Sequence, residues 1–327
     1  MKVLITGING YIGNRLFSVL KQHNFSVSGT VRDIELFMCK ECNQLIVTGD
    51  ISSFNNWHQV LSDIDIVIHL AGMAHIFSEP SDKSRMLENY RVVNRNATLR
   101  LAQGAVDAGV RRFIYISSIG VLGNTTIDKI FNNRSKYNPQ ESYAVSKMEA
   151  ELGLKKIQEL SNMEVVIVRP PLVYGPSSPG NFYRLLKLVD IGLPLPLPLP
   201  LPLPLGGMKA KKSMISLDNL CSLLMKTITE PLPKYSKLVV SDGSYWSTAE
   251  LVSLIAEYMG KKKQIFTVPR FILNAFGSLV GKREEVRKLS VPLQVDGSET
   301  AEILNWSPIQ SPEDGLKEAV EYYLLNK

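Results

Sequence analysis

Two side chains four residues apart, Tyr143 and Lys147, are the pair in this sequence best suited to acid–base chemistry. A spacing of four places both side chains on one face of a helix. Because an ammonium group beside a phenol favours the phenolate, we expect Lys147 to lower the pKa of Tyr143 from about 10 towards neutrality. The phenol can then donate a proton to a substrate oxygen, or remove one from it.

A serine upstream can act on the same substrate oxygen. Ser118 leaves the carboxyl end of an apolar run at residues 113–117, which we predict to be a strand. Its hydroxyl can hydrogen-bond the oxygen and support the charge that develops there. Together, Ser118, Tyr143 and Lys147 predict proton transfer at an oxygen while hydride moves at the adjacent carbon.

A glycine-rich turn near the N-terminus predicts a dinucleotide site. Residues 6–13, Thr-Gly-Ile-Asn-Gly-Tyr-Ile-Gly, follow a predicted strand and open a helix. Gly7 permits the tight turn, Gly10 lets backbone N–H groups approach a pyrophosphate, and Gly13 allows close packing of helix on strand. The helix N-terminus adds partial positive charge for the phosphates. The predicted cofactor contacts here are Gly7, Asn9, Gly10, Tyr11, Ile12 and Gly13.

The end of the second predicted strand distinguishes between two nicotinamide cofactors. An acidic residue there binds a ribose 2′-hydroxyl, whereas an arginine favours a 2′-phosphate. The chain reads Arg32-Asp33, with the arginine first, so we predict NADP(H) slightly over NAD(H), while Asp33 leaves NAD open. Later strand ends add further predicted cofactor contacts: Asp50 and Ile51 at the adenine, and Leu70, Ala71 and Gly72 at the middle of the cofactor. The preceding His69 is interpreted as a packed histidine rather than a catalyst.

The elements that must position these residues alternate along the first half of the chain. Short apolar runs rich in β-formers alternate with helical patterns; the runs are residues 3–6, 26–31, 45–47, 64–70, 113–117 and 165–169. Near-continuous apolar strands separated by helices indicate a parallel sheet that is buried on both faces. Right-handed crossovers make it doubly wound, with a ligand crevice at the strand carboxyl ends. The predicted fold class is therefore α/β, a doubly wound parallel (Rossmann) sheet with a smaller C-terminal α/β lid that binds substrate.

The chain divides into two predicted domains. Residues 1–170 form the dinucleotide-binding domain, to which residues 238–243 return, and residues 171–327 are mainly the substrate-binding domain. Within the latter, residues 193–205 alternate strictly between leucine and proline, which excludes helix and removes donors from a strand. We interpret this loop as a dipeptide expansion at the surface, with a docking peptide for a proline-binding groove as the alternative.

Composition excludes several classes of protein. With 45% hydrophobic and 21% charged residues the chain is globular rather than disordered, and three cysteines exclude a disulfide-rich design. No apolar run approaches the roughly 18 residues of a membrane span, and the N-terminus lacks the features of a signal peptide, so we predict a cytoplasmic protein. The net charge of +6 suits a phosphate-bearing ligand, but no nucleic acid is predicted, because no basic stripe is interleaved with aromatic residues. Cys39 and Cys42 lack a second pair, so no metal is predicted.

These motifs resemble those of the extended short-chain dehydrogenase/reductase family, the nucleotide-sugar epimerases, dehydratases and 4-ketoreductases. The chain is most similar to bacterial UDP-sugar 4-epimerase-like proteins of polysaccharide gene clusters. By that resemblance Ser118, Tyr143 and Lys147 take the catalytic roles, and Asn94 holds the lysine through water. Pro170 borders the nicotinamide. The implied substrate contacts are Ser118, Arg169, Asn181 and Lys212.

The resemblance also bears on affinity and assembly. Relatives commonly carry arginine at the position of Lys212, and lysine binds phosphate without the bidentate fork, so lower affinity is expected. Extended relatives often form homodimers through a four-helix interface, which here implies the helices at residues 85–108 and 143–160.

Two reactions use the same catalytic residues. Our main prediction is 4-keto reduction of a UDP-2-acetamido-2,6-dideoxy-4-keto-hexose in surface polysaccharide or O-antigen biosynthesis, because Arg32 favours an exchangeable reduced cofactor. The alternative is a UDP-glucose or UDP-N-acetylglucosamine 4-epimerase that holds NAD tightly. A cofactor-binding sensor without turnover is a minor alternative, which the retained Tyr143 and Lys147 disfavour. Dehydration is disfavoured because Ser118-Ile119-Gly120 offers no acid pair.

Overall fold

Seven parallel strands form the main sheet of the structure, a computed structural model that describes residues 1–33, 42, 44–74, 83–191, 210–261 and 291–327. These strands are β1 (Lys2–Thr6), β2 (Ser26–Val31), β3 (Gln44–Val47), β4 (Ile66–His69), β5 (Arg112–Ile116), β6 (Glu164–Arg169) and β9 (Tyr235–Val239). Their order across the sheet is β3-β2-β1-β4-β5-β6-β9, and neighbouring strands pair in parallel. The predicted doubly wound α/β fold class is confirmed.

A second, smaller sheet has three strands, β7 (Leu172–Tyr174), β8 (Lys211–Ser216) and β10 (Tyr245–Ser247), in the order β10-β8-β7. The described helices are α1 (Tyr11–Gln22), α2 (Trp57–Leu61), α3 (Lys83–Tyr90), α4 (Thr98–Asp107), α5 (Ser142–Glu159), α6 (Asn181–Ile191), α7 (Leu217–Thr229), α8 (Thr248–Tyr258), α9 (Ser298–Ile303) and α10 (Pro312–Leu325). Among the helices of the described ranges, none is long and apolar enough to cross a lipid bilayer. The predicted Leu-Pro loop at 193–205 and Cys39 lie outside the described residues.

Both faces of the main sheet are buried, which explains the apolar runs in the sequence. Along β1, Val3 and Ile5 share a buried cluster with Leu16 of α1, whereas Leu4 belongs to a cluster on the other face with Leu101 of α4. Successive side chains of a strand point to opposite faces, so a strand covered on both sides is apolar at every position. Fully burying one such aliphatic side chain contributes about 1.5–3 kcal/mol.

The C-terminal part of the chain contributes to both sheets. Its own core joins the second sheet to α6, α8 and α10, through residues such as Phe182, Ile255 and Val320. Strand β9, however, pairs with β6 at the edge of the main sheet, and Leu220 and Leu224 of α7 share the buried cluster of β1 and α1. The C-terminal part of the chain therefore adds a strand and a helix to the elements around the main sheet, while the division into two domains stays a prediction.

The helix implied at residues 85–108 contains both α-helical and π-helical turns. A π-helical stretch, Arg91–Ala97, joins α3 to α4, so its turns are wider than those of the flanking α-helices. Short π-helical stretches inside longer helices frequently occur at functional sites. Asn94 lies at the centre of this stretch and is fully buried.

Candidate active site

The glycine-rich turn lies where the strand order reverses, between β1 and β4. Gly7 has a φ of +68°, and a Cβ added there would lie 3.1 Å from the backbone of Ala71, which follows β4. A Cβ on Gly13 would lie 2.3 Å from the carbonyl oxygen of Gly7, so a side chain at Gly13 would collide with the turn. Crevices at such reversal points of open α/β sheets bind ligands.

The N-terminus of α1 is available to an anion. Gly10 is the residue that caps this helix, and it has no side chain to accept from the first N–H groups. The first N–H groups of an α-helix have no acceptor within the helix and attract phosphate. The turn from Gly7 to Gly13 therefore presents a helix start that suits a phosphate, and its binding of a dinucleotide stays a prediction.

His69 ends β4 beneath the turn and is a packed, satisfied residue. Its Nδ1 lies 2.6 Å from Oγ1 of Thr6, and its Nε2 lies 2.9 Å from Oγ1 of Thr98. Burial, together with the nearby positive charge of Lys147, lowers the pKa of His69 to about 3, so the ring is neutral. This confirms its interpretation as a packed histidine. The Thr6 hydroxyl also accepts from the backbone N–H of Ala71 at 3.2 Å, which fixes the residues after β4 against the turn.

Lys147 extends from α5 into the protein and is 5% exposed. Its Nζ donates to the carbonyl oxygen of Ile116 at 2.9 Å and lies 4.6 Å from the centre of the Tyr115 ring. Burial lowers the pKa of Lys147 to about 8, an effect that the negative charge of Glu151 opposes. The ammonium is thereby held at the carboxyl end of β5, within two residues of Ser118.

Tyr143 differs from the prediction in its acidity. Burial raises the pKa of Tyr143 to about 12, and the neighbouring phenol of Tyr90 adds to the rise. The two rings meet edge-on, with their centres 5.8 Å apart. The prediction that Lys147 lowers the pKa of Tyr143 is therefore wrong in this structure, because the ammonium is directed at the carbonyl of Ile116.

Ser118 lies at the predicted strand end and begins the 3₁₀ turn Ile119–Leu122. Its Oγ accepts from the backbone N–H of Gly120 at 3.1 Å, which leaves the hydroxyl hydrogen free to be donated. A Cβ added to Gly120 would lie 3.5 Å from Cβ of Ala144, the residue after Tyr143. The turn of Ser118 therefore packs against the start of α5, which brings together the three predicted catalytic elements.

Asn94 joins the π-helical stretch to the residues after β4. Its side-chain oxygen accepts from the N–H of Met73 at 2.8 Å, and its Nδ2 donates to the Met73 carbonyl at 3.0 Å and to Ser146 at 3.1 Å. A Cβ on Gly72 would lie 3.1 Å from Asn94 Oδ1 and 3.4 Å from Lys147 Nζ. Asn94 and Lys147 therefore approach the same glycine, while the water-mediated link between them stays a prediction.

The predicted adenosine contacts lie at the edge of the main sheet. Arg32 and Asp33 are exposed after β2. The carboxylate of Asp50 accepts from the backbone N–H of Ser52 at 2.8 Å, and this bond lowers the pKa of Asp50, with a smaller contribution from the charge of Arg32. Ile51 and Leu70 are half-buried and pack against the clusters on opposite faces of the sheet.

On the substrate side, the structure corrects the expectation for Arg169. Its guanidinium has no solvent exposure and forms an ion pair with Glu151, so it cannot touch a sugar in this conformation. Pro170, which follows, is buried, and its carbonyl accepts from the N–H of Ile119 at 2.9 Å, which places it beside the turn of Ser118.

The two other predicted substrate contacts lie in the lid. Asn181 is exposed at the start of α6. Lys212 of β8 lines a small cleft together with Tyr174, Asp242 and Trp246. Their roles in binding a substrate remain predictions.

Sequence analysis missed Glu151, Ser117 and Tyr90, all of which contact this site. Glu151 follows Lys147 by four residues, just as Lys147 follows Tyr143, so the same helical spacing indicates a third side chain on that face. Ser117 directly precedes Ser118, and its hydroxyl donates to Glu151 at 2.5 Å. Nothing in the sequence pattern indicates that Tyr90 packs against Tyr143.

Comparisons with known proteins agree with this geometry. The sequence profile of the NAD dependent epimerase/dehydratase family matches residues 3–187. A curated relative, the UDP-glucose 4-epimerase of Vibrio cholerae, is 36% identical over 324 residues, which cover 98% of this chain and 95% of the relative.

Two solved structures illustrate the likeness in fold. UDP-glucuronic acid 4-epimerase from Bacillus cereus in complex with NAD has a TM-score of 0.78 at 20% identity, covering 100% of this chain and 99% of its own. MoeE5 in complex with UDP-glucose and NAD has a TM-score of 0.78 at 23% identity, with the same coverage. Both complexes contain NAD and so give no support to the NADP(H) preference predicted from Arg32. The family resemblance itself is confirmed: this chain belongs to the NAD dependent epimerase/dehydratase family.

Proposed function

We propose that this protein is an NAD-dependent 4-epimerase of UDP-sugars, with UDP-glucose or UDP-N-acetylglucosamine as the substrate. In this reaction the C4 hydroxyl is oxidised to a ketone and then reduced on its other face, with bound NAD as the carrier of hydride. The observation that supports the proposal is that the turn of Ser118 packs against the start of α5, the helix that carries Tyr143 and the buried Lys147, whose ammonium approaches Gly72 after β4. The full-length relative named a UDP-glucose 4-epimerase favours this chemistry over others that use the same residues.

Each residue has a distinct part in this proposal. Tyr143 takes the proton of the C4 hydroxyl as hydride leaves C4 and returns it to the same oxygen as hydride is delivered to the other face, and its pKa of about 12 favours the protonated phenol between these two steps. Lys147, with a pKa of about 8, carries its positive charge near neutrality at the carboxyl end of β5, where it can stabilise negative charge that develops on the reacting substrate oxygen. Ser118 can donate to the same oxygen because its own acceptor role is filled by Gly120 N–H.

The described residues fit NAD at the glycine turn. The φ of +68° at Gly7, the uncapped start of α1 and the tight packing of Gly13 together leave backbone N–H groups for a pyrophosphate. Asp50 lies at the same edge of the sheet as Arg32 and Asp33. Acidic and basic side chains are therefore both available to the adenosine half of the dinucleotide. The choice of NAD over NADP therefore rests on the relatives rather than on Arg32 alone.

The 4-ketoreductase, our main prediction from the sequence, becomes the second candidate. The specific observation in its favour is the exposed Arg32 after β2, which suits a 2′-phosphate. The two functions differ in their use of cofactor, because an epimerase regenerates its NAD in each turnover, whereas a reductase consumes one reduced cofactor per product.

One experiment separates the two candidates. The purified protein is examined by mass spectrometry for retained dinucleotide and is then incubated with UDP-glucose or UDP-N-acetylglucosamine without added cofactor. An epimerase retains NAD and forms UDP-galactose or UDP-N-acetylgalactosamine. An empty protein that consumes NADPH only with a UDP-4-keto-sugar would contradict the epimerase and support the reductase, with Tyr143→Phe as the inactive control in both assays.

A further inference from the structure

A fully buried carboxylate, Glu151, lies one helical turn after Lys147 and is enclosed by hydrogen-bond donors. Its Oε1 accepts from Ser117 Oγ at 2.5 Å and from Arg169 Nε at 3.1 Å. Its Oε2 accepts from the Tyr137 hydroxyl at 2.8 Å and from Arg169 Nη2 at 2.5 Å. An ionised carboxylate offers about four lone-pair sites, so its accepting capacity is full.

The donors around Glu151 come from the segments that carry the candidate active site. Ser117 immediately precedes Ser118 at the end of β5, and Arg169 immediately precedes Pro170 at the end of β6. Tyr137 lies in the segment before α5, and the Arg169 guanidinium lies over its ring at 5.0 Å from the centre. One carboxylate on α5 therefore links the two strand ends to the helix.

Stability alone does not account for this arrangement. Glu151 and Arg169 are both fully buried, and burying two charges costs solvation that their attraction only roughly offsets. In addition, the buried Nη1 of Arg169 has no hydrogen-bond partner within the described part of the chain. A well-packed apolar pair of similar volume would often stabilise a protein as well. The polar contacts do, however, define the distance and orientation of each segment that they join.

We propose that Glu151 is a positioning residue, which fixes the Ser118 turn and the Pro170 bend against the helix that carries Tyr143 and Lys147. This inference rests on the proposed function, since the geometry that it maintains is the one that the 4-epimerase uses. Glu151 makes its contacts to Ser117 and Arg169, and it acts on the reaction through them.

The charge of Glu151 also acts on Lys147. The titratable groups near Lys147 are His69 from β4, Tyr115 from β5 and Glu151 from α5, with Tyr143 one turn earlier on the same helix. The ring of His69 is neutral because its pKa is lowered to about 3, and the pKa values of both tyrosines are raised. Among these four groups, the Glu151 carboxylate is the one whose charge favours the ammonium. Removing its charge is therefore expected to lower the pKa of Lys147 further.

The test compares Glu151→Gln with Glu149→Gln, both as purified protein with its dinucleotide. Glu149 lies on the same helix but pairs with Arg91 and Arg95 at the surface, so its variant undergoes the same chemical change away from the site. For Glu151→Gln we expect kcat to fall by about tenfold to a hundredfold with KM nearly unchanged, because misplaced reacting groups cost rate. The alkaline limb of the kcat profile should also move to lower pH. Glu149→Gln should leave both unchanged.

Two further measurements keep the outcome interpretable. Because Glu151→Gln leaves the Arg169 charge buried without a partner, the double variant Glu151→Gln/Arg169→Met is made as a form without buried charge. NMR of ¹⁵N-lysine-labelled protein, with Lys147→Met for assignment, follows the titration of the Lys147 ammonium without any substrate. A lower midpoint in either Glu151 variant, relative to Glu149→Gln, supports the inference.

The inference is overturned if the folded Glu151 variants keep the wild-type kcat and Lys147 midpoint. It is equally overturned if their activity falls only in parallel with thermal stability while the midpoint stays in place. Failure of the proposed function looks different. In that case the wild-type protein converts no UDP-sugar, while the Lys147 midpoint still responds to Glu151.

Discussion

Lys147 and Lys212 carry their positive charges in contrasting surroundings. Lys147 is almost fully buried, and its neighbours His69, Asn94 and Glu151 are each held by at least two hydrogen bonds. Lys212 is half-buried in the smaller sheet and lines a shallow cleft of the lid. Residues held in place before a reaction lower its barrier, whereas a lysine at a cleft acts as an adaptable point charge for phosphate. We therefore expect the first region to control kcat and the second to control KM.

The largest effect is expected for Tyr143→Phe. This change removes the phenolic proton but keeps the ring that packs against Tyr90, so the fold and the bound dinucleotide should be retained. Loss of acid–base assistance is expected to lower kcat by at least about a hundredfold. Turnover of the UDP-sugar and mass spectrometry of retained NAD test this directly. A variant with near-normal kcat would show that another group transfers the proton.

A large effect on cofactor binding is expected for Gly13→Ala. The added Cβ would lie 2.3 Å from the carbonyl oxygen of Gly7, and such overpacking costs about 1–3 kcal/mol. Thermal unfolding and the amount of NAD retained should both decrease. Gly297→Ala is the matched control, since Gly297 has a negative φ of −93° and an added Cβ there would meet its neighbours only at 3.4 Å or more. Equal losses in both variants would mean that the collision at Gly13 is not responsible.

A moderate effect is expected from pH. Because the pKa of Lys147 is lowered from 10.5 to about 8, kcat should fall as the pH rises through about 8 and the ammonium loses its proton. Stability should change in the opposite direction. Between pH 8 and 10.5 the unfolded lysine still binds a proton that the folded one has lost, so the free energy of unfolding rises with pH. Urea unfolding of the wild type and of Lys147→Met across this range measures that rise, which the variant should lack.

The smallest effect is expected in the lid. Lys212→Arg introduces the bidentate fork and should lower KM for the UDP-sugar by a few-fold, while kcat stays unchanged. Lys211→Arg, at the exposed neighbouring position of β8, is the control. A change in kcat from Lys212→Arg would contradict the proposed division between the two regions.

The sequence predicted the elements that are buried on both faces or that have a clear helical period. Strand β2 (Ser26–Val31) has the predicted bounds, and α5 (Ser142–Glu159) lies within one residue of the helix implied at 143–160. Strands β7 (Leu172–Tyr174) and β10 (Tyr245–Ser247) were not predicted, since three residues are too few to show an alternating pattern.

The positions of the site residues were more predictable than their electrostatics. Ser118 lies at a strand end, and Tyr143 and Lys147 lie one turn apart on α5, as predicted, because strand ends and helical spacing can be read from the chain. The pKa of Tyr143 is raised first by burial and then by Tyr90, and Arg169 is buried against Glu151, partners that only folding brings close. Such partners lie 18 or more residues away in sequence, and no local pattern connects them.

In the π-helical stretch Arg91–Ala97, the number of residues matters for function, because it sets the directions in which the side chains before and after the stretch point. Tyr90, Asn94 and Thr98 recur at intervals of four residues and contact, respectively, Tyr143, the strand end at Met73, and His69. Deleting one residue from the segment would rotate everything on its N-terminal side by about 100° around the helix axis, so these three contacts could not all form. The protein should accordingly accept many substitutions in this stretch but no insertion or deletion.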